Sequence, residues 1–178
     1  VLAEKGFFDK EKIDHYGENG TQLAGHIIRD SLPGIEISSG SLGHGLSIVA
    51  GMALASENNN RRFYCLMGDG ECNEGSVWEA AMFASHNKLN NLTAIIDFNG
   101  QQGMGKTEDI INQNNLAERF KSFGWRVYEV DGHNFDELIN VFKKKSASKP
   151  IAIIAHTVKG KGVSFMENQS GWHGKAPC

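Results

Sequence analysis

The sequence predicts an α/β fold: a parallel β-sheet with helices on both faces, three layers in all. Two observations carry the prediction. Short apolar runs that read as buried strands alternate along the chain with stretches whose apolar residues recur at helical spacing, the pattern of strands joined by right-handed helical crossovers. The chain is 178 residues long with 40% hydrophobic and 22% charged residues, which suits a single globular domain, 1–178, able to close its own core.

The elements follow in order. Leu46, Val49, Ala50, Ala53 and Leu54 recur near helical spacing and predict a helix over 43–56, and "RFYCLM" (62–67) reads as the first strand. "EGSVWEAAMFASHNKL" (74–89) is the next helix and "NLTAIIDF" (91–98) the next strand. "NLAERFKSF" (115–123) is a helix ended by Gly124, and "WRVYEV" (125–130) is a strand. "NFDELINVFKKK" (134–145) is a helix and "PIAIIAHTV" (150–158) a strand, while "ENNNRR" (57–62) and "NQNN" (112–115) are polar breaks. Ligands of such sheets bind at the carboxyl ends of the strands, so chemistry is expected in the loops after Met67, Phe98, Val130 and His156.

Composition excludes some functions. Net charge is -3, and the only basic run of note, Lys143 to Lys145, reads as a solvated helix end, so no sequence-independent hold on nucleic acid is expected. No apolar stretch approaches the ~18 residues of a membrane span and no secretory segment opens the chain, so a cytoplasmic protein is expected. Cys65, Cys72 and Cys178 are odd in number and lack metal-binding spacing, and they read as reduced thiols. The apolar opening "VLAEKGFF" and the ending after "GWHGKAP" make a chain truncated at both ends the expectation.

"GQQGMGKT" (100–107) fits the phosphate-loop template G-x-x-x-x-G-K-[ST] and follows a strand. A nucleotide-binding loop of that kind launches a helix from its Lys-Thr, because the amides of the helix's first turn hold the phosphates. Here "EDIINQNN" follows, with asparagines that form helices poorly and two isoleucines side by side, so no amphipathic helix begins at Lys106. In a chain with 21 glycines the match is readily accidental.

A better-formed constellation lies upstream. Gly-Asp-Gly (68–70) closes one strand and Asn99 closes the next, thirty positions after Asp69, an interval filled by one strand-helix-strand unit. Neighbouring parallel strands then bring Asp69 and Asn99 within reach of one ion. Mg²⁺ takes oxygen ligands and is usually held by one or two carboxylates together with substrate phosphates. Asp69 offers a charged oxygen and Asn99 a neutral one, which adds coordination without repelling a diphosphate. Gly70 lets phosphate oxygens approach its backbone, and a helix starting near Glu74 turns its free amides toward them. Gly-Asp-Gly alone is equally the signature of a tight turn; the Asn at the matching strand end shifts the reading toward magnesium and a diphosphate.

"GDGECNEGSVWEAAMFASHNKLNNLTAIIDFNGQQGMGKTEDI" resembles the thiamine-diphosphate motif of the transketolase family, Gly-Asp-Gly followed by just under thirty residues and an Asn. The likeness extends to "LPGIEISSGSLGHGLSIVAGMAL", "FGWRVYEVDGHN" and "HTVKGKGVSFMENQSGWHGKAP", and it is nearest to the separate amino-terminal subunits of two-part transketolases. The resemblance implies the family's thiamine-diphosphate-binding fold. It assigns Mg²⁺, replaceable by Ca²⁺ or Mn²⁺, to Asp69, Asn99 and the backbone carbonyl of Gln101. The cofactor would lie against Gly40, Ser41, Leu42, Asp69, Gly70, Glu71, Asn99 and His173, with the amide of Gly70 on the diphosphate. His26 and His173 match histidines that face the substrate and the reactive carbon, where an imidazole can exchange protons near neutral pH. Glu74, and more weakly Glu79, match glutamates that connect two cofactor sites across the interface between subunits. "GQQGMGKT" becomes the loop behind the metal-binding Asn. His44 is a departure, since the family commonly carries Gln there.

The activity implied is transfer of a two-carbon ketol unit from a ketose phosphate to an aldose phosphate. It requires a glutamate beside the cofactor's aminopyrimidine ring, which the family supplies from a pyrimidine-binding domain that this sequence lacks. A carboxy-terminal partner subunit carrying that domain, in a heterotetramer, is therefore expected. The competing readings are an α-type subunit of a 2-oxo-acid dehydrogenase, a cofactor-binding subunit without turnover, and, last, a nucleotide-binding protein.

Overall fold

A computed structural model of the chain describes residues 1–56, 60–113 and 115–175. Cys178 lies outside the described residues, as do parts of the two polar breaks. The chain divides into two compact units, Val1–Leu42 and Gly43–Cys178. Within the first, a 3₁₀ turn at Lys10–His15 is the regular element, and Ala3, Leu32 and Ile35 are its buried apolar residues.

The second unit holds the sheet. In chain order its elements are α1 (His44–Ala55), β1 (Phe63–Gly68), α2 (Gly75–His86), β2 (Leu92–Phe98), β3 (Gln101–Gln102), β4 (Gly105–Lys106), α3 (Thr107–Ile110), α4 (Leu116–Ser122), β5 (Arg126–Asp131), α5 (Phe135–Phe142) and β6 (Ile151–His156). β1, β2, β6 and β5 pair in that order, all parallel, into a four-stranded sheet. Each of the expected helices and strands is present, with its ends drawn in or shifted by a few residues.

Alternation along the strands sends successive side chains to opposite faces. Ala152 and Ile154 of β6, with Cys65 and Met67 of β1, join the main core beneath α1, α2 and α4. Ile151 and Ile153 face the other way, onto Val141 and Phe142 of α5. The layers are thus helices, sheet and helix, as the sequence predicts. On the second face the α5 cluster covers β5 and β6 and reaches Ile95 of β2 and Tyr64 of β1, while Leu66 of β1 is 71% exposed. Among the described residues no helix is long and apolar enough to cross a membrane.

Two features differ from the sequence reading. Between Asp69 and α2 stands a 3₁₀ turn, Gly70–Asn73, that the sequence reading does not contain, while α2 itself begins at Gly75, one residue after the expected start at Glu74. The loop after β2 is a small antiparallel ribbon, Gln101 opposite Lys106 and Gln102 opposite Gly105, followed by the single-turn helix α3. Elements of two to four residues carry too little periodicity to be read from sequence.

Candidate functional site at the carboxyl ends of β1 and β2

Asp69 is the node of this site. It follows the last residue of β1 and its backbone N–H donates to the carbonyl of Asp97 on β2 at 3.2 Å, so the two strand ends are locked side by side. The side chain is 1% exposed. Its Oδ1 accepts from the Gly70 amide at 2.8 Å; its Oδ2 accepts from the Gly100 amide at 2.8 Å and from the Thr107 hydroxyl at 3.0 Å. One carboxylate therefore ties the end of β1 to both ends of the β3–β4 ribbon. Burial pushes the Asp69 carboxyl above its ordinary value, against the pull of the Thr107, Gly100 and Gly70 bonds, and the nearby Asp97 adds to the rise.

Asn99 sits at the end of β2, one residue before Gly100. Its Oδ1 accepts from the Gln101 amide at 2.9 Å and its Nδ2 donates to Asp97 Oδ2 at 3.3 Å. Both neighbours are unambiguous, a backbone donor and a carboxylate, so the orientation of the side-chain amide is set. Asp97 in turn accepts from the hydroxyl of Thr157, just beyond β6. Asp69, Asn99 and Gln101 are thus gathered around the first residues of the ribbon, with Gly70 bonded to Asp69.

The ribbon explains "GQQGMGKT". Gly100 adopts φ 70°, and its carbonyl accepts from the Thr107 amide at 2.9 Å. Lys106 is exposed, with its ammonium 3.6 Å from Glu108. Thr107, which the phosphate-loop template assigns to a metal ion, instead donates to Asp69. No cradle of amides launches a long helix here.

The other predicted residues of this unit are distributed around the node. Glu71 accepts from the Gly43 amide at 2.8 Å, which attaches the turn after Asp69 to the start of α1. Gly43, at φ 79°, leaves no room for a side chain, because a Cβ there would meet Ser76 Oγ at 2.5 Å and Glu74 Cβ at 2.6 Å. Glu74 is exposed at the start of α2 and makes no capping bond, and Glu79 is exposed farther along that helix. His173 lies against the ribbon: a Cβ on Gly103 would sit 3.3 Å from its ring. Lys159 Nζ approaches His173 Nδ1 at 3.3 Å. An ammonium only donates, so Nδ1 accepts, and the neutral ring carries its proton on Nε2. His44 is the first residue of α1 and is exposed.

His26, Gly40, Ser41 and Leu42 belong to the first unit and are exposed. The structure brings two of them together, since a Cβ on Gly40, at φ 149°, would fall 2.7 Å from the His26 ring. Sequence reading missed the partners of Asp69, namely Gly100 and Thr107, and a run of side chains behind it, Gln102, Asn73, Gln113 and Arg119. The one available signal was the run of amide residues itself, which reads as mere polar loop.

Comparison with known proteins gives this arrangement its context. The family described as transketolase, thiamine diphosphate binding domain, matches residues 5–177. One of the subunits of the apulose-4-phosphate transketolase of Phocaeicola vulgatus is 44% identical, covering 99% of this chain and 64% of its own length. The 6-deoxy-6-sulfo-D-fructose transketolase subunit SqwG of a Clostridium species is 40% identical over 97% of this chain and 64% of its own. The chain therefore spans somewhat less than two thirds of these curated relatives. Among solved structures, transketolase from Campylobacter jejuni superposes with a TM-score of 0.85 at 30% identity, over 90% of this chain and 27% of that one. A parallel sheet whose strand ends are locked by Asp69, together with a family match over almost the whole chain, leads to one conclusion: this chain belongs to the transketolase family and corresponds to its thiamine-diphosphate-binding domain.

Proposed function

We propose that the chain is the cofactor-binding component of a two-part transketolase, which moves a two-carbon ketol unit from a ketose phosphate to an aldose phosphate. The observation that carries this reading is the buried carboxylate of Asp69, bonded across to the loop that follows the neighbouring strand. A carboxylate has about four acceptor directions, and three here are taken by protein donors. The remaining one is on Oδ1. Asn99 Oδ1, with one donor from Gln101, has a direction left as well. A buried carboxylate short of a partner and a fixed neutral amide oxygen suit a hard divalent cation. Asp69, Asn99 and the Gln101 carbonyl would hold Mg²⁺, with Ca²⁺ or Mn²⁺ as substitutes, and the cation would hold the diphosphate of thiamine diphosphate.

The bound cofactor supplies an electron sink that lets a carbon–carbon bond beside a carbonyl break and re-form. The chain's own residues bind and orient. Gly70 and the turn that contains Glu71 line the diphosphate side, and Gly40, Ser41 and Leu42 would lie along the rings. His173, with its proton on Nε2, would donate to an oxygen of substrate or cofactor, and His26 would face the substrate. Glu74, exposed and uncapped, would reach the partner subunit. The glutamate that acts on the aminopyrimidine would come from that partner, a carboxy-terminal subunit with the pyrimidine-binding domain, in a heterotetramer in the cytoplasm. The names of the relatives support a separate subunit with sugar-phosphate or sulfosugar substrates.

The test is titration calorimetry with thiamine diphosphate and Mg²⁺, followed by ketol-transfer assays with and without the partner subunit. Binding is expected to require Mg²⁺ and to be lost in Asp69→Ala, and transfer is expected only from the mixed subunits. Full transfer by the isolated chain would overturn the two-part reading; ATP binding in place of thiamine diphosphate would overturn the cofactor.

A further inference from the structure

We propose that Gln102 is an additional ligand of the diphosphate, its side-chain N–H aimed by a one-way relay of amides that starts at Arg119. The proposal rests on the reading that this end of the sheet takes a diphosphate, and it adds a residue that the Gly-Asp-Gly…Asn motif does not contain.

Gln102 belongs to the ribbon strand β3, and its side chain lies directly over Gly70: a Cβ on that glycine would fall 2.8 Å from Gln102 Cγ and 3.0 Å from Cδ. Gly70 therefore admits the glutamine as much as it admits a phosphate. Gln102 Oε1 accepts from Asn73 Nδ2 at 3.3 Å. Gln102 Nε2 is buried and has no partner, a state shared among the described side chains only by Ser31 Oγ in the other unit. Buried donors are nearly always paired, so one that is not calls for a cause.

The direction of that donor is set from far behind it. A guanidinium has no acceptor. Arg119, on α4, donates through Nη1 to Gln113 Oε1 and through Nη2 to the Asn112 carbonyl at 3.0 Å. Gln113, 2% exposed, must then turn its NH₂ toward Asn73 Oδ1, and it does. Asn73 must turn its own NH₂ toward Gln102, whose oxygen accepts it. Reversing any of these amides would set donor against donor. Each amide oxygen in the series has its donor, and the NH₂ left without any partner is the buried Nε2 of Gln102, on the side chain that covers Gly70. A series that begins with a cation polarises each bond in turn and strengthens the terminal donor. Its complement is an oxygen that only accepts and carries negative charge, which is the chemistry of a phosphate.

The experiment is calorimetry of the whole chain with Mg²⁺ plus thiamine diphosphate and with Mg²⁺ plus inorganic pyrophosphate, paired with thermal unfolding of each unliganded variant. Gln102→Met keeps the length and removes the donor. It is expected to weaken both ligands by about tenfold or more, the worth of a hydrogen bond to a charged acceptor, while the unliganded chain unfolds at the same or a higher temperature because the orphan N–H has gone. Gln102→Glu is expected to weaken them further. Arg119→Met should weaken binding by a smaller factor, and Arg119→Lys, which restores a cationic donor, should recover part of it. Wild-type affinity in Gln102→Met overturns this proposal and leaves the cofactor reading standing. A less stable Gln102→Met chain that still binds normally makes the residue structural and overturns it equally. A wild-type chain that binds neither ligand overturns both.

Discussion

Cys65 on β1 and Cys72 in the turn after Asp69 are free, buried thiols. Burial, and then the Glu71 carboxylate, push both up to about 12. At pH 8 the thiolate fraction of such a group is on the order of one in ten thousand, and the thiolate is the reactive form. With Cys178→Ser in place, the folded chain should resist iodoacetamide at pH 8 and become labelled only as it unfolds, read by intact-mass spectrometry; labelling of the folded chain at the rate of a free thiol would contradict the burial. The same groups bear on stability. In the unfolded chain they ionise near pH 9, while the folded chain holds their protons to about 12. Their contribution is therefore fully present below pH 9 and is lost as pH climbs toward 12. Urea unfolding between pH 8 and 10.5 should show this decline, flattened in a Cys65→Ala/Cys72→Ala chain.

At the scale of elements, α4 shows how much of a local sequence is spent on stopping. Gly124 takes φ 90° after the helix, its amide donates to the Lys121 carbonyl at 2.9 Å, and the Trp125 amide donates to the Phe120 carbonyl at 3.1 Å. Those are the paired bonds of a Schellman stop, and the apolar contact that accompanies it is the Phe120–Trp125 ring pair at 5.3 Å. A Cβ on Gly124 would also collide with Ser85 Oγ. Gly124→Ala should cost about 1–2 kcal/mol from the left-handed backbone alone, plus the clash, and Ser85→Ala in the same chain should recover only the clash; chemical denaturation of the two variants measures the split. This stop was legible in the sequence because Gly124 interrupts a helical period. So were the buried strands, whose apolar runs admit no other use, and so was the pairing of Asp69 with the end of the next strand, which follows from parallel topology. The ribbon at 101–106 was not, because two-residue strands have no period and its glycines imitate a phosphate loop. Nor was the relay from Arg119 to Gln102: its members are neighbours through side-chain amides, which leave no spacing rule in the chain.

For the molecule as a whole, the division at Leu42 and Gly43 falls inside "SSGSLGHG", the segment whose first residues are proposed to lie along the cofactor rings. Everything that builds the sheet and both apolar clusters lies after it. The start of α1 is secured within that unit as well, Gly43 by its amide on Glu71 and by its carbonyl on Ser76 Oγ at 2.9 Å. Because a domain folds on its own when it owns a core and satisfies its backbone, residues 43–178 should unfold as one cooperative transition after removal of 1–42. The diphosphate end of the proposed site, Asp69, Asn99 and Gln102, stays in that piece, whereas His26, Gly40, Ser41 and Leu42 leave it. The shortened chain should accordingly keep its affinity for Mg²⁺-pyrophosphate within about threefold, by the near-additivity of independent sites, and lose the advantage that thiamine diphosphate holds over pyrophosphate in the full chain. Calorimetry with the two ligands on the two chains separates the contributions, and an unchanged preference for thiamine diphosphate in 43–178 would remove residues 40–42 from the cofactor's surroundings.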